Sequence, residues 1–107
     1  MLFDVRTYTT RPGTLQKQLE LYRQHGFTTQ RKYLGSPFAF LIPETGTSHS
    51  FTHIWCYKNA ADREQKREAM KSDPLWAQYV KLTAEAGYYT HQSNQLMNDS
   101  FFMQSNG

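Results

Sequence analysis

The stretch from His49 to Glu64 constrains this chain most, because a strand pattern there runs directly into a helix start. Between His49 and Tyr57 one parity carries His49, Phe51, His53, Trp55 and Tyr57, and the other carries Ser50, Thr52, Ile54 and Cys56. Successive strand side chains point to opposite faces, so the two sets lie on different surfaces. Neither set reads as a solvent face. The pattern predicts a central strand with its small-residue side under helices and its aromatic side lining something else. Asn59 then offers an oxygen to the unpaired N–H groups of a helix start, and Asp62 and Glu64 put negative charge near that end.

The remaining elements arrange themselves around this one. Leu2 to Thr9 alternates Phe3, Val5 and Thr7 with Leu2, Asp4, Arg6 and Tyr8, and reads as a first strand. Arg11-Pro12-Gly13-Thr14 is a turn, and Leu15, Leu19 and Tyr22 then recur at helical spacing up to His25-Gly26, where glycine is expected to end the helix in a left-handed cap. A second strand is expected over Phe38 to Ile42, flanked by Pro37 and Pro43 and joined to the third by a hairpin; prolines at both ends suit an edge. Asp73-Pro74 opens a further helix with Trp76, Tyr79, Val80 and Thr83 as its inward stripe and Gly87 at its end. A last strand is expected between Tyr88 and Phe102, centred on Gln95 to Asn98, with Phe101 and Phe102 as an apolar anchor.

This order is β-α-β-β-α-β, an α+β ferredoxin-like sandwich of four strands with helices on one face, filling residues 1–107 as one domain. In that topology the first and third strands are central neighbours, which brings Arg6 and Tyr8 beside His53 and Trp55 on the face expected to carry no helices. Tyr8, Phe51, Trp55 and Tyr57 together exceed the apolar patch a monomer usually exposes, so a second copy packing sheet to sheet is the expected cover.

A net charge of +3 with interspersed signs gives no electrostatic footprint for nucleic acid. The single cysteine, Cys56, excludes an internal disulfide and suits a reducing compartment. With no apolar signal core at the N-terminus and no apolar run beyond Phe38 to Ile42, the expectation is a soluble cytoplasmic protein without membrane contact.

Arg6-Thr7-Tyr8, Arg11-Pro12-Gly13, His53-Ile54-Trp55 with Tyr57, Ala61-Asp62-Arg63-Glu64 with Arg67, and Asp73-Pro74-Leu75-Trp76, in that order over nearly the whole chain, resemble the NIPSNAP family. The resemblance implies a dimeric α/β barrel, two ferredoxin-like subunits with facing sheets around an enclosed space. The same superfamily holds antibiotic-biosynthesis and haem-degrading monooxygenases, whereas NIPSNAP proteins mostly lack an established reaction. The tail from Leu96 to Phe102 departs from the pattern, lacking the basic and proline-containing last strand of related sequences.

Arg6, Tyr8, His53 and Trp55 form the candidate ligand-binding set: a cation, a phenol, an imidazole and an indole converging on one region. His53 is the candidate general base, weighed against a histidine satisfied by hydrogen bonds in a dimer interface. Arg6 and Arg63 could hold an anion or pair with Asp4, Asp62 or Glu64. His49 and His53 share a face but lie roughly 13 Å apart, too far to bind one ion; neither a metal nor a cofactor is expected. Cys56 is read as an inert residue on the helix-facing parity. Three classes follow: a NIPSNAP-like homodimer holding a small, partly apolar or aromatic molecule in a pocket between its sheets; a cofactor-independent monooxygenase or isomerase of the antibiotic-biosynthesis type; and, last, an RNA-binding module stacking bases on Phe51, Trp55 and Tyr57.

Overall fold

The computed structural model describes residues 1–100 and Phe102. Two central strands, β1 (Leu2–Thr10) and β3 (Ser50–Tyr57), lie side by side in an antiparallel sheet of order β2-β3-β1-β4, with β2 (Ala39–Leu41) and β4 (Tyr89–Asn98) at its edges. Four helices, α1 (Leu15–His25), α2 (Phe27–Leu34), α3 (Ala60–Lys71) and α4 (Pro74–Ala86), complete the element order. The molecule is only 18 Å through its thinnest dimension, the depth of one sheet and one helical layer. One sheet face is therefore open. No helix among the described residues is long and apolar enough to cross a membrane.

The helix starts follow from local chemistry. Asn59 accepts from the Asp62 N–H at 2.9 Å, and Asp73 accepts from the Leu75 N–H at 2.9 Å with Pro74 directly after it. Gly87 ends α4 at φ 63°, in the left-handed region where a Cβ is penalised. Gly26 behaves differently from expectation. Its φ is −119°, it forms no left-handed cap, and the chain turns straight into α2, a helix absent from the sequence reading. Glycine is needed there for proximity: a Cβ would sit 3.0 Å from the rings of Tyr22 and Tyr79.

The helices cover the opposite sheet face from the one expected. Phe51, His53, Trp55 and Tyr57 are all buried, and Trp55 and Tyr57 form the core with Leu34 of α2 and Met70 of α3, against Leu2, Tyr33 and Trp76. Thr52, Ile54 and Cys56, the set expected under helices, stay half-exposed on the open face. Burial area decides this. Each buried aromatic removes on the order of 150–250 Å² from water, far more than Thr, Ile or Cys can offer, so the helical layer settles on the aromatic parity. Tyr8, Phe51, Trp55 and Tyr57 thus cannot be the surface between two sheets. Cys56, in turn, is not in the helix-facing core.

The last strand is longer than expected and begins at Tyr89. Its register against β1 shifts between Thr9 and Thr10, pairing Thr9 with His91 and Thr10 with Tyr89. The extra residue, Thr90, flips the parity and sends Tyr89 to the helix side, where its ring lies 5.1 Å from that of Tyr8. Phe102 is 77% exposed, not buried in the core as an apolar anchor would be; Phe101 lies outside the described residues.

Candidate functional site

Cross-strand pairing builds the floor of a cavity between the sheet and its own helices. β1 and β3 align Arg6 with His53, Asp4 with Trp55 and Tyr8 with Phe51, all on the helix side. β2 adds Phe40 beside His53, and β4 adds Gln92 and the re-aimed Tyr89. Tyr22 of α1, Gln30 of α2, Arg67 of α3 and the Trp76, Tyr79, Val80 and Thr83 stripe of α4 close the space, which measures about 190 Å³.

Of the four expected site residues, Arg6, Tyr8 and His53 line this cavity, which lies under the chain's own helices and not on the helix-free sheet face where the pocket was expected. Trp55 does not. It is fully buried behind His53, and its indole N–H donates to His53 Nδ1 at 3.0 Å. Because an indole nitrogen only donates, Nδ1 must be the acceptor and the neutral ring carries its proton on Nε2. That Nε2 is buried and has no hydrogen-bond partner among the described residues. Tyr8, Phe40 and Phe51 flank the imidazole at ring distances of 5.4, 5.1 and 5.8 Å. Burial, followed by the positive charge of Arg6, drives the His53 pKa down to about 3, with Asp4 opposing and Arg67 adding to the fall.

A buried ion cluster holds the other end of the floor. Asp4, fully buried, accepts from Arg6 Nη1 at 3.1 Å and Arg63 Nε at 3.0 Å through one oxygen, and from Asn94 Nδ2 at 3.1 Å through the other. Burial alone would raise its pKa, but Asn94 and the two guanidiniums outweigh it and hold the carboxyl below its ordinary value. Arg6 also donates through Nε to the Tyr8 hydroxyl at 3.0 Å, fixing the phenol in the cavity wall. The pairing of Arg6 and Arg63 with Asp4 is the structural role weighed for them in the sequence. On the roof, Gln18 donates to the Tyr79 hydroxyl at 3.2 Å, and Tyr22 donates to Gln30 Oε1.

Three features of this site escaped sequence reasoning. Tyr89 needed the bulge, Gln30 lies on the unforeseen α2, and Arg67 was recognised only as part of a family pattern. The α4 stripe, by contrast, had been visible at helical spacing. Phe51, Trp55 and Tyr57, which an RNA-recognition surface would offer to bases, are 4%, 0% and 1% exposed beneath helices and cannot stack on a strand of RNA.

The NIPSNAP family model matches residues 3–102. The chain belongs to the NIPSNAP family. It is 30% identical over 82 residues to Protein NipSnap of Drosophila melanogaster, a match spanning 77% of this chain but only 29% of the fly protein. An uncharacterized NIPSNAP domain protein from Burkholderia xenovorans superposes with a TM-score of 0.86 at 24% identity, covering 95% of this chain and 97% of that one. An antibiotic biosynthesis monooxygenase shares the fold more distantly, with a TM-score of 0.64 at 16% identity over 94% and 99% of the two chains. The NIPSNAP fold here is thus the ferredoxin-like α+β sandwich expected from the residues.

Proposed function

We propose that this NIPSNAP chain binds a small, partly apolar ring compound in the cavity between its sheet and its helices. The observation that carries this reading is His53, 4% exposed and lining the cavity, with a polar atom that no described residue satisfies. A buried N–H without an acceptor costs on the order of 1–3 kcal/mol, a cost that a bound acceptor removes. Arg6 and Tyr8 are the further binding residues, and Trp55 acts through His53. Ligand-observed NMR with a library of single-ring compounds tests the reading. Hits should lose contact with the protein in a Val80→Trp variant, which fills the cavity mouth from α4; a library without hits would end it.

A cofactor-independent monooxygenase or isomerase is the second reading. It draws on the fold shared with the monooxygenase relative, with His53 entering as an N–H donor and not as the general base expected from the sequence.

The open sheet face supports a homodimer. Phe3, Val5, Ile54, Cys56 and Met97 share it by register, and the Phe38 ring lies edge-on to Phe3 at 5.3 Å while remaining 62% exposed. A second copy of this face is the fitting cover, sheet against sheet. The lone thiol of Cys56, its pKa raised by burial, suits a reducing compartment such as the cytoplasm.

A further inference from the structure

The cavity walls contain two guanidiniums, Arg6 and Arg67, and no carboxylate. The carboxylate nearest the floor, Asp4, is already committed: one oxygen is shared by Arg6 and Arg63 and the other is held by Asn94. Arg67, half-buried on α3, forms no salt bridge among the described residues, whose ion pairs involve other cations. Around Asp4 and the cavity there are therefore three guanidiniums for one carboxylate. Beside this positive surplus sits His53, whose Nδ1 is taken by Trp55, leaving Nε2 as an N–H donor with no partner among the described residues. A fixed donor next to a guanidinium without a carboxylate partner selects for negative charge on an acceptor oxygen.

Size narrows the class. An apolar cavity of roughly 150 Å³ holds benzene, so 190 Å³ holds one ring with a small substituent within its walls. Phe40, Phe51, Tyr79 and Tyr89 give that ring its walls.

We propose that the pocket is selective for single-ring anions, the ligand's charged oxygen accepting the Nε2–H of His53 and facing the guanidinium of Arg67. In this role His53 is a positioned donor rather than a proton acceptor, since its only free nitrogen already carries the hydrogen. The proposal rests on the small-molecule reading above and names the ligand class for the same site.

Calorimetric titration of the full chain at neutral pH with benzoate and with benzamide, its uncharged counterpart of similar shape, tests this. Benzoate should bind about tenfold more tightly, the margin of a charge-assisted over a neutral contact. Arg67→Gln, a change at a half-buried helix position, should shrink that ratio to about threefold or less. In ¹⁵N-histidine spectra the His53 Nε2–H signal should move on adding benzoate and remain protonated, a readout that a structural role for the residue would leave unchanged. Equal binding of the two probes would overturn the anion proposal while leaving the pocket reading standing. Failure of both probes to bind a folded protein at millimolar concentration would overturn the two together.

Discussion

Trp55 and His53, two residues apart on one strand, are locked together by a 3.0 Å hydrogen bond from indole N–H to Nδ1, both side chains buried under the helices. The bond fixes the tautomer, and the fixed tautomer leaves an N–H donor, not a ring acceptor, at the other nitrogen.

Acid should weaken the fold through His53. Its folded pKa is about 3 against an ordinary 6.5, so between those values the unfolded chain takes up a proton that the native ring refuses. Stability is therefore full above pH 6.5 and falls as pH drops toward 3, by up to about 1.4 kcal/mol per pH unit. Asp4, held below 3.8, and the exposed Glu20, lowered from 4.5 to about 2 by Arg23 and Gln24, add loss chiefly at pH below about 4.5, which leaves the window from about 4.5 to 6.5 mainly to His53. Urea midpoints at pH 7 and pH 4.5 should differ markedly in the native chain and much less in His53→Gln.

Asp4→Asn should cost about 3–5 kcal/mol, the usual penalty for removing one member of a buried ion pair. Two guanidiniums, Arg6 and Arg63, would lose their shared counter-charge. Denaturant unfolding at neutral pH measures it, and a loss under about 1 kcal/mol would show that these cations reach solvent instead.

Gly26→Ala sets two effects against each other. Alanine is favoured over glycine in helical backbone by about 1 kcal/mol. Its Cβ, however, meets Tyr22 and Tyr79 at 3.0 Å, and overpacking of that kind costs about 1–3 kcal/mol. Both rings line the cavity, so the variant should be less stable and should also bind ring compounds more weakly. A melting temperature above that of the native chain would mean the rings yield.

Dimerisation can be read by light scattering, with an expected mass of about 25 kDa against 12.6 kDa for one chain. Ile54→Lys places a charge in the middle of the open face and should give a folded monomer. A native chain that is already monomeric at micromolar concentration would remove the sheet-to-sheet pairing.

Much of the fold was legible because its signals are local. Asn59 and Asp73 cap helices through their own side chains, and the alternation in β1 and β3 gives pairing partners as well as strands. Alternation does not say which side is up, however, and the aromatic parity of β3 went under the helices because area outweighs pattern. Gly26 resembled a stop signal although its lack of a side chain serves two tyrosine rings distant in sequence. Of the site, Arg6, Tyr8 and His53 were readable from a shared strand face. Tyr89 was not, since a single inserted residue, Thr90, reverses its direction, and bulges leave no mark in composition.

Floor and roof of the cavity come from the same chain, while the proposed self-association uses the other side of the sheet. Occupancy and pairing are then separate equilibria: a ligand that meets the same atoms in the free and the paired chain shifts nothing between them. Titrations repeated over a wide range of protein concentration should return one dissociation constant and one site per chain, and a mutation that splits the pair should leave that constant where it was.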